Sequence, residues 1–364
     1  MVSFIVGIAA LIIGYIVYGK ITERVFGIKP DKATPANSVN DGVDFVPMDW
    51  KKVFLIQFLN IAGTGPIFGA IAGAAFGPAA FAWIVLGCIF AGAVHDFTVG
   101  MLSVRNNGAS ISEIVGKYLG KIPLYIMRVF SVVLLVFVGV VFVTTPAQVL
   151  QTLISPGSQT VYIVAIVIIM VYYILATILP IDKLIGRIYP IFGCALLIMG
   201  VGIVSMMFVN GEMTQIPEFS FKNMHLQGQH IFPFLFISIA CGAISGFHAT
   251  QSPLMARCMK NEKEGRKIFF GAMITEGVIA MIWAAAAMGH WNGLEGLAAA
   301  GAPAEVVTHA SVDLMGAIGG VLAVLGVVAC PITSGDTAFR SARLTIADSF
   351  KFDQKPLKNR FVIA

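Results

Sequence analysis

Long apolar runs dominate this sequence and restrict the folds open to it. The hydrocarbon core of a bilayer offers no water to backbone N–H and C=O groups, so a chain within it forms helices or a closed barrel. With 57% hydrophobic and only 12% charged residues, the composition excludes an ordinary soluble domain and predicts an all-α polytopic membrane protein. Nine runs are long enough to span a bilayer, at about 2–18, 53–76, 78–102, 122–150, 160–180, 188–209, 231–256, 264–289 and 312–333.

The basic residues occupy alternate loops, which predicts the topology. All of them except Lys222 and Arg128 lie in the segments 19–52, 103–121, 181–187, 257–267 and 334–364. By the positive-inside rule these loops face the cytoplasm, so the N-terminus is outside and the C-terminal end is cytoplasmic. We expect a multi-pass protein of the cytoplasmic (inner) membrane. One of these loops should hold a short helix, because Ser110 followed by Glu113 forms a capping-box pattern.

The second apolar run is interrupted in its middle by Ala62-Gly63-Thr64-Gly65-Pro66. Each glycine costs a helix roughly 1 kcal/mol, and proline lacks its N–H and clashes with the preceding turn. Lipid tolerates such a break only where protein or a wet cavity surrounds it. The break therefore indicates either a kink that shapes packing or a binding site at the ends of two half-helices.

The seventh run contains a second interruption, in the segment IACGAISGFHATQSPLM at 239–255. Apolar sequence lies on both sides of it, so these residues are not those of a soluble loop. Two interrupted spans in corresponding positions of two halves indicate a transporter's substrate site. The interruption combines helix breakers with polar side chains: Gly242, Gly246, Pro253, Ser245, His248, Thr250, Gln251 and Ser252.

The two interrupted spans begin five spans apart, and an odd offset inverts the second copy of a repeat. This spacing predicts a LeuT-like (amino acid–polyamine–organocation type) inverted-repeat core with two broken helices. The second repeat would be incomplete. The predicted divisions are an extra N-terminal helix and cytoplasmic loop at 1–52, a first five-helix repeat at 53–209, an extracytoplasmic loop at 210–230, and a second repeat at 231–364 that ends with a cytoplasmic amphipathic helix over 334–350.

Four segments resemble the carbon starvation protein A (CstA) family: NIAGTGPIFGAI, GCIFAGAVHDFTVGMLSVRNNGASISEIVGKYLG, GFHATQSPLMARC and CPITSGDTAFRSARLTIAD. The similar blocks run from about residue 43 to 350. The resemblance implies a cytoplasmic-membrane transporter that takes up peptides or pyruvate during nutrient limitation, driven by protons or another cation. This chain is short for the family, and LKNRFVIA at 357–364 is similar to the start of a further span. We therefore expect a chain truncated at its C-terminus.

The two breaks predict the substrate site. Their backbone groups and the Thr64 hydroxyl would bind a carboxylate or a cation. Phe247 would act as a lid or a packing wall. His248 would donate to an anion or carry a proton, or it would simply be a satisfied buried histidine. The candidate substrate-binding residues are Gly63, Thr64, Gly65, Gly246, Phe247, His248, Thr250 and Gln251.

Two further groups are candidates for coupling to a cation or proton. His95 and Asp96 lie within the third apolar run, where ionisable residues are costly and often functional. Thr333, Ser334, Asp336 and Thr337 crowd oxygen atoms at the end of the ninth run, at the position of a helix that helps to form a cation site in LeuT-like folds. Alternatively, Ser334 or Asp336 caps the helix that follows, and Arg340 or Arg343 neutralises Asp336.

These features predict a secondary active transporter that imports a small carboxylate-bearing nutrient, a peptide or pyruvate, by alternating access. Transport would be coupled to a cation, and a proton is the expected coupling ion. The alternatives are a passive channel and an intramembrane aspartyl protease using Asp96 and Asp336. The expected partners are the small-molecule substrate and the lipid bilayer, with no nucleic acid. We expect no cofactor and no metal site beyond a coupling proton or sodium ion, and the sequence leaves the oligomeric state open.

Overall fold

The computed structural model describes residues 1–178, 181–220, 222–243 and 245–350, and these residues fold almost wholly as helices. The expected truncation and the LKNRFVIA segment lie outside them. The principal helices are α1 (Val2–Phe26), α2 (Trp50–Ile61), α3 (Gly65–Ala74), α4 (Ala79–Arg105), α5 (Ile111–Leu119), α6 (Lys121–Ile154), α7 (Gln159–Ile178), α8 (Ile181–Val209), α9 (Phe236–Ala243), α10 (His248–Ala256), α11 (Glu262–Gly289) and α12 (Pro303–Phe350). Short helical turns cover Pro35–Ser38, Glu212–Thr214, Ile231–Leu235 and Leu294–Ala299.

In the described residues seven helices are long and apolar enough to cross a membrane, and an eighth span is counted if α2 and α3 are taken as one bent helix. The described residues thus show seven or eight spans where nine were predicted. The difference lies at 231–256, where the described residues form two helices, α9 and α10. Neither piece is long enough to cross a bilayer alone, because the Ser245–Phe247 segment interrupts the helix between them.

The core is built around α11, which is buried along most of its length. Its neighbours include α1, α2, α3, α4 and α8. Small residues on α11 permit this close approach: a Cβ added at Gly277 would lie 2.8 Å from the Cys88 sulfur. Small residues serve the same purpose at helix interfaces in other membrane proteins. By contrast, α6 and α7 leave long apolar faces exposed, as lipid-facing helices do.

The first interrupted span bends by 53° between α2 and α3, at residues 62–64. The break frees backbone carbonyls at the end of α2, and α12 satisfies them. The Ser334 hydroxyl lies 2.8 Å from the carbonyl oxygen of Asn60, and the Cys330 sulfur lies 2.7 Å from that of Ala62. A break that would be costly in lipid is thus enclosed and bonded by protein.

The two interrupted spans lie side by side and antiparallel. α3 contacts α9, and α2 contacts α10. The side-chain amide of Gln57 donates to the Ser252 hydroxyl at 3.2 Å. At the other end of the pair, a Cβ added at Gly73 would lie 2.7 Å from the Ile239 side chain. Pro253 lies within α10, so the second break is at Ser245–Phe247 rather than reaching the proline.

The segment from Ser334 to Phe350 differs from the prediction of an amphipathic surface helix. It continues the last membrane helix without a stop, and Ser334, Asp336, Arg340 and Arg343 are all buried. Ser334 and Asp336 are therefore not N-caps. Helices α6, α7 and α2 cover this part of α12. The helical periodicity of the sequence predicts a helix here but does not show that other helices will bury it. The short helix after Ser110 is confirmed, with both hydrogen bonds of its capping box present.

Gly335 provides a test of the packing between α12 and α7. A Cβ at this position would lie 2.1 Å from the Tyr173 hydroxyl oxygen, which is buried and donates to the carbonyl of Phe142 at 2.9 Å. We expect Gly335→Ala to destabilise the protein by about 1–3 kcal/mol, the usual cost of overpacking. Thermal unfolding in detergent measures this change. The matched control is Gly320→Ala, whose new methyl group would meet nothing closer than 3.8 Å. Equal melting temperatures for the two variants would contradict this packing.

Candidate functional site

The two breaks meet at one aromatic side chain, Phe142 of α6. A Cβ added at Gly63 in the first break would lie 2.8 Å from the Phe142 ring. From the second break, the Phe247 ring packs edge-on against Phe142, with 5.3 Å between centroids. Phe247 is buried, as a packing wall would be. Sequence reasoning did not select Phe142, because it lies in an uninterrupted apolar helix and no local signal distinguishes it.

The polar residues predicted at the breaks are buried in this structure. Thr64, His248, Thr250 and Gln251 all have small exposed fractions. The Gln251 amide donates to the hydroxyls of Thr250 at 3.0 Å and of Ser341 at 3.4 Å, and so connects α10 to α12. The Thr250 hydroxyl donates to the carbonyl of Phe247. The second break is therefore closed over its own polar groups.

His248 lies between two buried carboxylates. Its Nδ1 is 3.4 Å from Asp96 Oδ2, and its Nε2 is 3.7 Å from Glu276 Oε2. All three side chains are at most 1% exposed. The structure thus joins a predicted substrate residue, His248, to a predicted coupling residue, Asp96, in one cluster. We name Asp96, His248 and Glu276 the histidine cluster.

His95 extends the histidine cluster towards a more open environment. Its Nδ1 lies 2.9 Å from Asp96 Oδ1, and its side chain is 33% exposed. These two residues are neighbours in the chain, and their side chains contact each other. Asp96 therefore has an imidazole at each of its two oxygen atoms.

Glu276 was missed in the sequence analysis, although it carries a clear signal. It is an acidic residue within the apolar run 264–289, and it is fully buried in α11. An ionisable residue inside a membrane helix is a functional candidate by default. Asp96 was selected as an ionisable residue within an apolar run, and the same criterion applied to the eighth run selects Glu276.

The second predicted coupling group surrounds Asp336 on α12. The Tyr189 hydroxyl donates to Asp336 Oδ2 at 2.5 Å. The neighbouring hydroxyls bond to backbone: Thr333 to the carbonyl of Cys330, and Thr337 to that of Ser334. Ser334 bonds across to α2, as described above. The three hydroxyls thus have backbone partners, whereas Asp336 Oδ1 is buried without a hydrogen-bond partner in the described residues. The contact with Tyr189 was not foreseen.

Asp44, in the loop between α1 and α2, binds the arginines that were expected to neutralise Asp336. Arg340 Nη1 lies 3.4 Å and Arg343 Nη2 lies 3.3 Å from Asp44 Oδ1, with all three side chains buried. Burial alone would raise the pKa of Asp44, but the charges of Arg343, Arg340 and Arg257 outweigh it and hold the pKa below its ordinary value. The loop before α2 is thereby fixed to α12.

Beside Asp44, a polar cavity of about 510 Å³ opens among the basic loops. Its lining includes Asp44, Arg105, Glu113 and Arg257. Arg257 and Leu344 also line a second cavity of only about 20 Å³, which reaches Thr250 and Ser341. A space of that size holds about one water molecule. The wide polar recess and the small cavity beside Thr250 thus share two lining residues.

Comparison with known proteins identifies the family. The family model for "Carbon starvation protein CstA" matches residues 1–172 and 162–308. The chain belongs to this family. An "Uncharacterized membrane protein" of Haemophilus influenzae is 48% identical over 331 residues, covering 78% of this chain and 89% of that protein.

Two functionally named relatives are more distant. "Peptide transporter CstA" of Campylobacter jejuni is 28% identical over 341 residues, and "Pyruvate/proton symporter BtsT" of Escherichia coli is 27% identical over 329 residues. These matches cover 76% and 72% of this chain. The chain spans about half of each relative, 48% and 45% of their lengths.

The arginine pair gives a prediction for stability. We expect Asp44→Asn to destabilise the protein by about 3–5 kcal/mol, because it removes a buried negative charge that contacts two buried guanidinium groups. The pKa of Asp44 is lowered in the folded state. Its contribution is therefore complete above the unfolded pKa, about 3.9, and is lost as the pH falls through the folded pKa.

Thermal unfolding at several pH values tests this. The difference in melting temperature between wild type and Asp44→Asn should be constant near neutral pH and shrink in strong acid. The control is Asp31→Asn, at an exposed position in the same loop, which should unfold like wild type. A difference that grows as the pH falls would show that the sign is wrong.

Proposed function

We propose that this chain forms a secondary active transporter that imports a small carboxylate-bearing nutrient, a short peptide or pyruvate, by proton-coupled alternating access. The observation that carries this proposal is the pair of broken helices, antiparallel and joined through Phe142, with polar side chains at both breaks. Irregular backbone inside membrane spans is typical of transporter binding sites. The names of the relatives, a peptide transporter and a pyruvate/proton symporter, agree with this class of solute.

The antiparallel pairing also supports the LeuT-like inverted-repeat core. In such a core the first helix of each repeat is discontinuous and the two repeats have opposite orientations. In support of this, α2–α3 and α9–α10 are both interrupted and run antiparallel, since α2 contacts α10 and α3 contacts α9. We place the substrate between these two pairs, where the N-terminal ends of α3 and α10 and the Thr64 hydroxyl provide an environment for a carboxylate.

We place the coupling proton in the histidine cluster. With both carboxylates ionised, the cluster holds two buried negative charges beside the His248 imidazole, and His95 provides a second imidazole at Asp96. Buried charges are costly unless they are balanced, so the ionised carboxylates favour proton binding at these groups. His248 belongs to α10, directly after the second break. Protonation of the cluster is thus linked to the helix that must move when the substrate site opens.

Asp336, with Thr333, Ser334 and Thr337, is the alternative coupling site. In its favour, Ser334 contacts the first break, so a cation here would act on α2. Against it, the hydroxyls of this group bond to backbone carbonyls, and Asp336 accepts from Tyr189. This group therefore has an evident structural role, and the histidine cluster is the better candidate for a change in protonation.

The substrate site is tested by removing its polar groups. We expect Thr64→Val to raise the KM for uptake about two- to tenfold, equivalent to one lost hydrogen bond, and His248→Ala to reduce uptake further. The measurement is uptake of labelled pyruvate and labelled dipeptides by proteoliposomes under an imposed proton gradient. The control is Thr160→Val, at an exposed position of α7. Unchanged kinetics in both site variants, at equal reconstitution, would exclude this site.

Coupling is tested by neutral isosteres of the two acidic residues. Glu276→Gln imitates a permanently protonated side chain, so we expect exchange of substrate across the membrane to persist while accumulation driven by the proton gradient is lost. Asp336→Asn should retain accumulation, because its amide oxygen still accepts from Tyr189. If Glu276→Gln retains accumulation and Asp336→Asn loses it, Asp336 is the coupling site instead.

The same proteoliposomes test the transporter class and the coupling ion. Accumulation above equilibrium that an uncoupler abolishes is the result expected for a proton-driven carrier. Accumulation that needs sodium and survives the uncoupler would identify sodium as the driving ion. Uptake that never exceeds equilibrium, whatever gradient is imposed, would indicate a channel instead.

A further inference from the structure

A cavity of about 690 Å³ lies on the outer surface of the helix bundle, away from both breaks. Its walls are α1, α2 and α11, and they are mostly apolar. The one hydroxyl contributed by α11, that of Thr275, donates to the carbonyl of Gly271 in its own helix. We name this cavity the lateral groove. Its lining residues are Ile12, Tyr15, Trp50, Lys51, Phe54, Leu55, Lys267, Gly271, Ile274, Thr275 and Val278.

The charges of the lateral groove are confined to one end. Lys51 is the second residue of α2, and Lys267 lies near the start of α11, so both ammonium groups belong to the end nearest the basic loops. Both lysines are exposed, and Lys267 lies 4.8 Å from the centroid of the Trp50 ring. None of the described residues that line the groove carries a carboxylate.

A third basic residue near this end is already paired. Arg266 lies over the Tyr15 ring and bonds to Glu23 at 3.1 Å. In the described part of the chain, neither Lys51 nor Lys267 has such an ion pair. The groove therefore presents two positive charges to an occupant.

The length of the lateral groove matches one leaflet of a bilayer. From Lys267 to Val278 the helix rises about 17 Å, at 1.5 Å per residue. The hydrocarbon core is about 30 Å thick, so one leaflet contributes about half of that. A molecule that fills the groove thus needs an apolar chain about one leaflet long and an anionic group at the end nearest the lysines.

We propose that the lateral groove is a binding site for an anionic phospholipid, with an acyl chain along α11 and the headgroup phosphate between Lys51 and Lys267. Basic pockets between membrane helices bind anionic headgroups in this way. The proposal does not depend on the transported solute or on the coupling ion. Since one wall of the groove is α2, a bound lipid would contact the half-helix that leads into the first break.

Quenching of Trp50 fluorescence by brominated acyl chains measures occupancy directly. The full chain is reconstituted in bilayers that contain brominated phosphatidylglycerol or brominated phosphatidylcholine with the same acyl chains. The fluorescence of Trp50 is obtained by subtracting the emission of the same protein with Trp50→Phe. We expect phosphatidylglycerol to quench Trp50 at a lower mole fraction than phosphatidylcholine.

Lys51→Gln and Lys267→Gln should each reduce this preference about fivefold, the effect of one basic residue near an anionic lipid. The matched control is Lys52→Gln, which alters the neighbouring residue on α2 outside the groove and should leave the preference unchanged. If Trp50→Phe does not fold, native mass spectrometry of phosphatidylglycerol retained by the lysine variants gives the same comparison.

Three outcomes would overturn the proposal. One is equal quenching of the wild-type protein by the two lipids. Another is a preference for phosphatidylglycerol that survives in the Lys51→Gln/Lys267→Gln double variant. The third is loss of the preference when soluble glycerol phosphate is added, which would identify a site for a soluble anion rather than for a lipid.

Discussion

The broken helix α2–α3 depends on the hydrogen bonds that α12 provides for it. A break inside a bilayer frees carbonyl groups that water cannot reach, and each unsatisfied group costs several kcal/mol. Ser334 and Cys330 donate to the carbonyls of Leu59, Asn60 and Ala62. The last membrane helix of the described chain therefore stabilises the break in the second span. The same helix carries Asp336 two residues after Ser334, so structural support and candidate chemistry share one segment.

Buried charge is balanced differently in the two polar regions of the protein. At Asp44 two arginines bind one carboxylate, and all three side chains are fixed in a loop–helix contact. In the histidine cluster His248 lies between two carboxylates at 3.4 and 3.7 Å, and His95 contacts Asp96 from the other side. The first arrangement has permanent positive charge without a bound proton. In the second, positive charge depends on protonation of an imidazole, which is why we propose coupling there.

Local signals in the sequence were enough to find the helices and the first break. Gly63 and Pro66 are poor helix formers, and their effect does not depend on distant residues. The number of spans differs from the prediction at 231–256, because hydropathy does not show that the helix is interrupted at Ser245 and Gly246. Phe142 and Tyr189 could not be predicted, since their roles arise from contacts with residues far away in the chain. Glu276 could have been predicted, because an acidic residue in an apolar run is itself the signal.

If the proposed alternating access occurs, the positions of the cavities indicate which contacts would change. The 510 Å³ recess and the small cavity beside Thr250 share Arg257 and Leu344. Separation of α10 and α12 beside these residues would join the two cavities. It would also break the hydrogen bond from Gln251 to Ser341 and move His248 relative to Asp96 and Glu276, which belong to α4 and α11. Opening the proposed substrate site and changing the environment of the histidine cluster would then be one movement. Such a shared movement is the physical requirement for coupling, because a bound proton can shift the conformational equilibrium only if its affinity differs between the two states.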